Sequence, residues 1–119
     1  MANEQKARIS FAISHALLER MFKSMESSGY GKRAKSQWIC EALSQFFNIG
    51  NAIEIIDWGG DAVGKPGEKG KIEVFTIPLE LKRELFDFQI KVKEQHITLG
   101  SIQSRVIRAA IRQRLLRKK

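Results

Sequence analysis

The residues of this chain best suited to chemistry are its basic side chains. Lys32, Arg33 and Lys35 crowd one turn, and Arg105, Arg108, Arg112, Arg114, Arg117, Lys118 and Lys119 run through the last segment. Lysine and arginine outnumber aspartate and glutamate 21 to 13 over 119 residues, for a formal charge of +8. A surplus of this size in a small chain favours a polyanionic partner, nucleic acid first and an anionic membrane surface second. The plainer alternative is a basic protein whose charges simply face water. Other chemistries find little footing. His15 and His96 lack neighbours at ligand spacing, so no metal site is expected. Cys40 is the only cysteine, which excludes an internal disulfide and a cysteine-based zinc finger; among apolar helical neighbours it reads as inert core. Residues 59–66, Gly-Gly-Asp-Ala-Val-Gly-Lys-Pro, come within one residue of a P-loop. Proline stands where the magnesium-binding Ser or Thr belongs, so nucleotide binding is rejected. No nucleophile lies beside a base, so neither an enzyme nor a cofactor or small-molecule substrate is expected.

The elements that would position the basic residues emerge from an internal repeat. Arg8-Ile-Ser-Phe-Ala-Ile-Ser14 alternates, with Ile9, Phe11 and Ile13 on one side, as a half-buried strand does. Lys71-Ile-Glu-Val-Phe-Thr-Ile-Pro78 does the same. Aligning Phe11 with Phe75 also aligns Ile13 with Ile77, Leu17 with Leu81, Met21 with Leu85 and Phe22 with Phe86. Each strand runs into a helix, for which Ser14 is a good N-cap and Pro78 a tolerated start. The first helix is expected over 15–27, with Leu17, Leu18, Met21, Phe22 and Met25 inward, ended by Gly29 and Gly31. Its counterpart is expected over 79–94, with Leu81, Leu85, Phe88 and Val92 inward. Second helices follow over 34–47 (Trp38, Ile39, Ala42, Leu43, Phe46 and Phe47 inward) and 100–116 (Ile102, Val106, Ile107, Ala110, Ile111 and Leu115 inward). Ser36-Gln-Trp-Ile-Cys-Glu-Ala-Leu43 lies over Ser104-Arg-Val-Ile-Arg-Ala-Ala-Ile111, with the second inter-helix turn four residues longer.

The chain thus divides into a unit over 6–47, a Gly-rich linker over 48–70 and a unit over 71–119, sharing one mainly α domain. Within the linker, residues 52–58 (Ala-Ile-Glu-Ile-Ile-Asp-Trp) are too apolar for free solvent and are expected to dock on the core, as a short extra strand. One strand cannot satisfy its own backbone. Two strands paired antiparallel and backed by four helices do so, and such a ribbon fits the DNA major groove. No apolar run reaches membrane-spanning length and no secretion-signal pattern opens the chain, so a cytoplasmic location is expected.

At this point the sequence resembles the Arc/MetJ/TraY-type ribbon-helix-helix family. The resemblance is carried by the alternating strands ending in Ile13-Ser14 and Ile77-Pro78, the amphipathic helices after them, and second helices opening with Ser36-Gln-Trp-Ile and Ser104-Arg-Val-Ile. Most members of that family carry one unit per chain and dimerise. A tandem chain is similar to the TraY-like conjugation proteins of plasmids, and implies an intramolecular pseudo-dimer. Tethering replaces bimolecular pairing by pairing at roughly millimolar effective concentration, and frees the strands to differ.

The resemblance implies that ribbon side chains facing away from the helices read bases: Arg8, Ser10 and Ala12, with Ile72, Val74 and Thr76 from the second strand, and Lys6 extending the first set. Arg8 suits guanine; Ser10 and Thr76 donate or accept; Ala12, Val74 and the Thr76 methyl suit thymine methyls. The family pattern usually puts larger polar residues here, so the second strand departs from it. Burial of Ile72 and Val74 beneath another element is the competing expectation. The start of each second helix is the family's phosphate clamp. Here that implies Lys6, Lys32, Arg33, Lys35 and Ser36 on one side and Ser101 and Ser104 on the other. The bland counterpart is N-capping by the serines beside a solvated basic turn. The arginines of the last helix are read as a solvated face with some pairing to acids, or as non-specific phosphate attraction.

The implied function is sequence-specific binding of double-stranded DNA, as a transcription regulator or an accessory factor in conjugation or partition on bacterial nucleoid or plasmid DNA, with self-association along DNA as a further expectation. The alternative is a protein-interaction module or antitoxin with the ribbon covered. RNA is less favoured, because no aromatic platform lies on an alternating strand face.

Overall fold

A computed structural model describes residues 5–55, 70–95 and 101–117. Alternation in the two strand segments translates directly into a two-stranded sheet. β1 (Lys6–Ser14) pairs antiparallel with β2 (Gly70–Pro78), with Arg8 opposite Thr76, Ser10 opposite Val74 and Ala12 opposite Ile72. Because side chains alternate between faces, this register puts Ile9, Phe11, Ile13, Phe75 and Ile77 on one side, where all five are buried. Phe11 and Phe75 meet edge to face there, ring centres 5.8 Å apart.

Helices close over that face. α1 (His15–Ser27) starts where Ser14 Oγ accepts the Leu17 amide at 3.2 Å, which satisfies one of the first-turn amides left without a helical partner. It ends in a double reverse bond: Tyr30 N–H to Met25 O (2.8 Å) and Gly29 N–H to Glu26 O (3.1 Å). This closure needs the left-handed residue supplied by Gly29 at φ +86°. A single 3-10 turn (Lys32–Ala34) leads into α2 (Lys35–Phe47). After β2, α4 (Leu79–Gln95) and α5 (Ile102–Arg117) complete the helical layer. The described chain is therefore mostly helical around a single ribbon, and its order reads strand, helix, helix on either side of a linker. α2 and α5 make the most extensive helix–helix contact among the described residues, with Trp38, Ile39, Leu43, Val106, Ile107 and Ile111 fully buried or nearly so. Phe88 of α4 packs on Phe46 and Phe47 of α2, with ring centres 5.7 and 5.1 Å away.

Three expectations are corrected. Residues 52–55 form α3 (Ala52–Ile55), a one-turn helix rather than an extra strand. Docking is as expected, since Ala52 is buried and Ile53 and Ile55 pack on the core, α3 lying against α4. The turn satisfies backbone groups locally, the Glu54 amide donating to Asn51 O at 3.0 Å, where a strand would need a neighbouring strand to bond with. Residues 56–58 of that segment lie outside the described residues, as do residues 59–66, His96, Gly100, Lys118 and Lys119.

Phe22, expected inward, is 43% exposed, and so is its counterpart Phe86. Leu17, Leu18, Met21 and Met25 already fill the stripe, and a fifth bulky side chain beside Met21 falls at its edge. Finally, Arg108 is not part of a solvated face, and Arg114, although it makes the expected pairing with an acid, is enclosed as well. Arg108 is 5% exposed and its NH1 donates to the Ala12 carbonyl at 2.7 Å. The Arg114 side chain is likewise mostly enclosed. Its NH1 donates to Trp38 O (2.9 Å), its NH2 to Tyr30 Oη (2.8 Å), and it pairs with Glu41 at 3.0 Å. The guanidinium also stacks 4.7 Å from the Trp38 ring, an arrangement its flat, delocalised charge permits.

Candidate nucleic-acid interface

A two-stranded ribbon has two unpaired edges, and each backbone group left there needs a partner. The second helices supply them. On the β1 edge, the Ala12 amide donates to Ser104 Oγ (2.9 Å), Gln103 Nε2 donates to Ser10 O (2.8 Å) and Arg108 donates to Ala12 O. On the β2 edge, the Thr76 amide donates to Ser36 Oγ (2.9 Å) and the Cys40 thiol to Thr76 O (3.4 Å). The alignment that superposes Phe11 on Phe75 superposes Ala12 on Thr76. The one that lays Ser36 over Ser104 lays Cys40 over Arg108. The same two backbone groups are thus held by the same two helix positions on either edge.

The edge bonds hold the ribbon against the second helices, with its outer face turned away from them. Lys6, Arg8, Ser10 and Thr76 are exposed on it, Ala12 and Val74 are half-buried, and Ile72 is 68% exposed. The competing expectation, that Ile72 and Val74 lie beneath another element, is not met for Ile72 among the described residues, whereas Val74 is half-buried. The structure brings Lys6, Arg8, Ser10 and Thr76 together on one part of the face, while Ala12, Val74 and Ile72 occupy the middle and the opposite end.

The expected phosphate groups divide. Arg33 is exposed in the 3-10 turn that also contains Lys32, and this turn is anchored beside the β2 edge through Ser36. The N-cap of α2 is Ala34, which makes no side-chain cap bond, so neither Ser36 nor any N-cap side chain closes that helix start. Lys35 is drawn away to Glu73, 2.9 Å from its carboxylate, with Lys71 a further 3.8 Å contact. Ser36 and Ser104 accept ribbon-edge amides instead of capping helices. Ser101 is exposed before α5 at φ 54°, and its carbonyl accepts the Arg105 amide.

Where Arg108 covers one edge, the smaller Cys40 leaves a cleft of about 1050 Å³ on the other, lined by Lys6, Ser36, Glu41, Thr76 and Glu84 among others. Burial pushes the Cys40 thiol up to about 11, with Lys6 pulling it down and Glu41 raising it further. This is the opposite of the depressed value a reactive thiol needs. Burial pushes Glu41 up as well, but hydrogen bonds from Tyr30, Gln37 and Arg114 outweigh it and leave the carboxyl below its ordinary value. No cluster able to hold a metal ion occurs among the described residues, and none of their helices is long and apolar enough to cross a membrane.

The buried roles of Arg108 and Arg114 were missed by reading arginine as a solvated type. The repeat itself carried the signal, since it lays Arg108 over Cys40 and Arg114 over the core residue Phe46. Compared with protein-family models, curated proteins and solved structures, the chain matches none.

Proposed function

We propose that this chain is a tandem ribbon-helix-helix protein, one polypeptide supplying both halves of a pseudo-dimer, and that it binds double-stranded DNA with the outer face of its ribbon in the major groove. The observation that carries the reading is the ribbon itself: sealed on one face, bonded along both edges by helices, and presenting Lys6, Arg8, Ser10 and Thr76 to solvent on a chain of charge +8. A two-stranded ribbon has the width to enter the major groove, and basic and hydroxyl side chains meet base edges there. The turn that holds Lys32 and the exposed Arg33, and the α2 start capped only by Ala34, supply phosphate contact. The matched edge bonds support the pseudo-dimer. The biological role that follows is transcription regulation, or an accessory role in conjugation or partition, in the cytoplasm.

The exposed Ile72 favours one second reading, a protein-interaction module whose partner covers the ribbon. Titrating a labelled mixed-sequence duplex with the protein at about 50 mM salt decides between them. Retention that weakens steeply as salt rises supports DNA binding; no retention at any salt refutes it.

A further inference from the structure

We infer that the ribbon reads an asymmetric duplex in one fixed orientation, with guanine beneath Arg8 at one end and thymine methyl groups beneath Ala12 and Ile72 at the other. This rests on the ribbon–DNA reading above and goes beyond it by naming the class of site.

The register of the two strands sets this asymmetry. Both strands run nine residues and pair along their full length, so Ser10 and Val74 sit opposite each other at the midpoint. Rotation about that midpoint, the operation that would relate two identical units, exchanges the Arg8–Thr76 pair with the Ala12–Ile72 pair. The two pairs are chemically opposite. Arg8 and Thr76 are both exposed, and Lys6 extends their end. Ala12 and Ile72 offer only methyl and methylene groups, and Ile72 is 68% exposed. Lys71, beside that end, directs its ammonium toward Glu73 at 3.8 Å. Val74 adds a further apolar contact at the centre, on the side of β2.

In the major groove, an arginine fork matches guanine O6 and N7, whereas apolar side chains match the thymine methyl. Turning the protein end for end would press Ile72 onto the guanine acceptors, which then lose water without gaining a donor, and set Arg8 against methyl groups. Discrimination by one good bidentate pair corresponds to about ten- to a hundredfold in affinity, so one orientation dominates.

The test is selection from a random duplex pool by the full chain, by Arg8→Ala and by Ile72→Ala, with circular dichroism to confirm that each variant is folded. Both side chains lie on the exposed face, so neither change reaches the core. The expected wild-type product is non-palindromic, with guanine toward one end and thymine toward the other. Arg8→Ala relaxes the guanine end alone and loses about tenfold on the selected site. Deoxyuridine in place of the single thymine beneath Ile72 loses about fourfold for the wild type, as removal of one buried methyl predicts, and almost nothing for Ile72→Ala. A palindromic product, relaxation of both ends by Arg8→Ala, or binding without sequence preference overturns the inference and leaves DNA binding standing. If no duplex is retained by the folded wild type, the ribbon–DNA reading has failed and the inference falls with it.

Discussion

Changing Ser104 to alanine separates two roles that the start of a second helix can play. If its hydroxyl holds phosphate, the variant is as stable as the wild type and binds DNA more weakly by a similar factor at every salt concentration, because a neutral donor releases no counterion. If it holds the ribbon, the variant is less stable. The structure gives the Ser104 Oγ to the Ala12 amide at 2.9 Å in a half-buried setting, with the neighbouring carbonyls of Ser10 and Ala12 already taken by Gln103 and Arg108. Removing the acceptor strands an amide that water reaches poorly, for about 1–2 kcal/mol. For a chain of this length that corresponds to a fall in melting temperature of about 4–8 °C. The equivalent Ser36→Ala loses a bond in a more exposed setting, where water replaces the acceptor, and is expected to cost about half as much. Urea and thermal unfolding followed by far-ultraviolet circular dichroism measure both. Unchanged stability of Ser104→Ala, together with weakened duplex binding, would refute the assignment of this serine to the ribbon edge.

Other outcomes follow from the same bonds. Arg114→Lys is expected to lose about 2 kcal/mol in urea unfolding, because an ammonium cannot reach Trp38 O, Tyr30 Oη and Glu41 at once while stacking on Trp38; a change under 0.5 kcal/mol would contradict this. With its pKa near 11, about one Cys40 thiol in a thousand is ionised at pH 8, so alkylation by iodoacetamide is expected to run far slower in the folded chain than in urea; equal rates would contradict this. Because the folded Glu41 carboxyl lies below its ordinary value of 4.5, its contribution to stability is present above that value and is lost as pH falls through the folded pKa. Glu41→Gln is therefore expected to flatten the fall of stability below about pH 4.5, and an unchanged acid profile would count against the Tyr30–Glu41–Arg114 cluster.

The ribbon and its inner face were legible because alternation has a single physical meaning: Ile9, Phe11 and Ile13 can share a buried side only in an extended chain. The register was not legible, since alternation fixes which face is inward but not which residues stand opposite, and it is the register that separates Arg8 and Thr76 from Ala12 and Ile72. Helix faces were read well where Leu, Ile and Trp decide them and poorly at Phe22, whose apolar character does not say whether the stripe is already full. Ser36 and Ser104 were found by alignment, but their bonds to the ribbon edge were not legible, because a serine at a helix start suits a cap, a phosphate or a strand edge equally well. Only the position of the ribbon edge distinguishes them. Arg108 and Arg114 fell on inward positions of the repeat, and residue type prevailed there over position in the reading.

The surface that meets DNA is expected to be the outer face of the ribbon. Backbone amide shifts recorded while a duplex is added to isotope-labelled protein test this directly. The expected perturbations fall on β1 residues Lys6, Arg8, Ser10 and Ala12, on Ile72, Val74 and Thr76 of β2, and on the Lys32–Ala34 turn with the start of α2. Perturbations confined to α1, α4 or the C-terminal part of α5, with the ribbon amides unmoved, would contradict it.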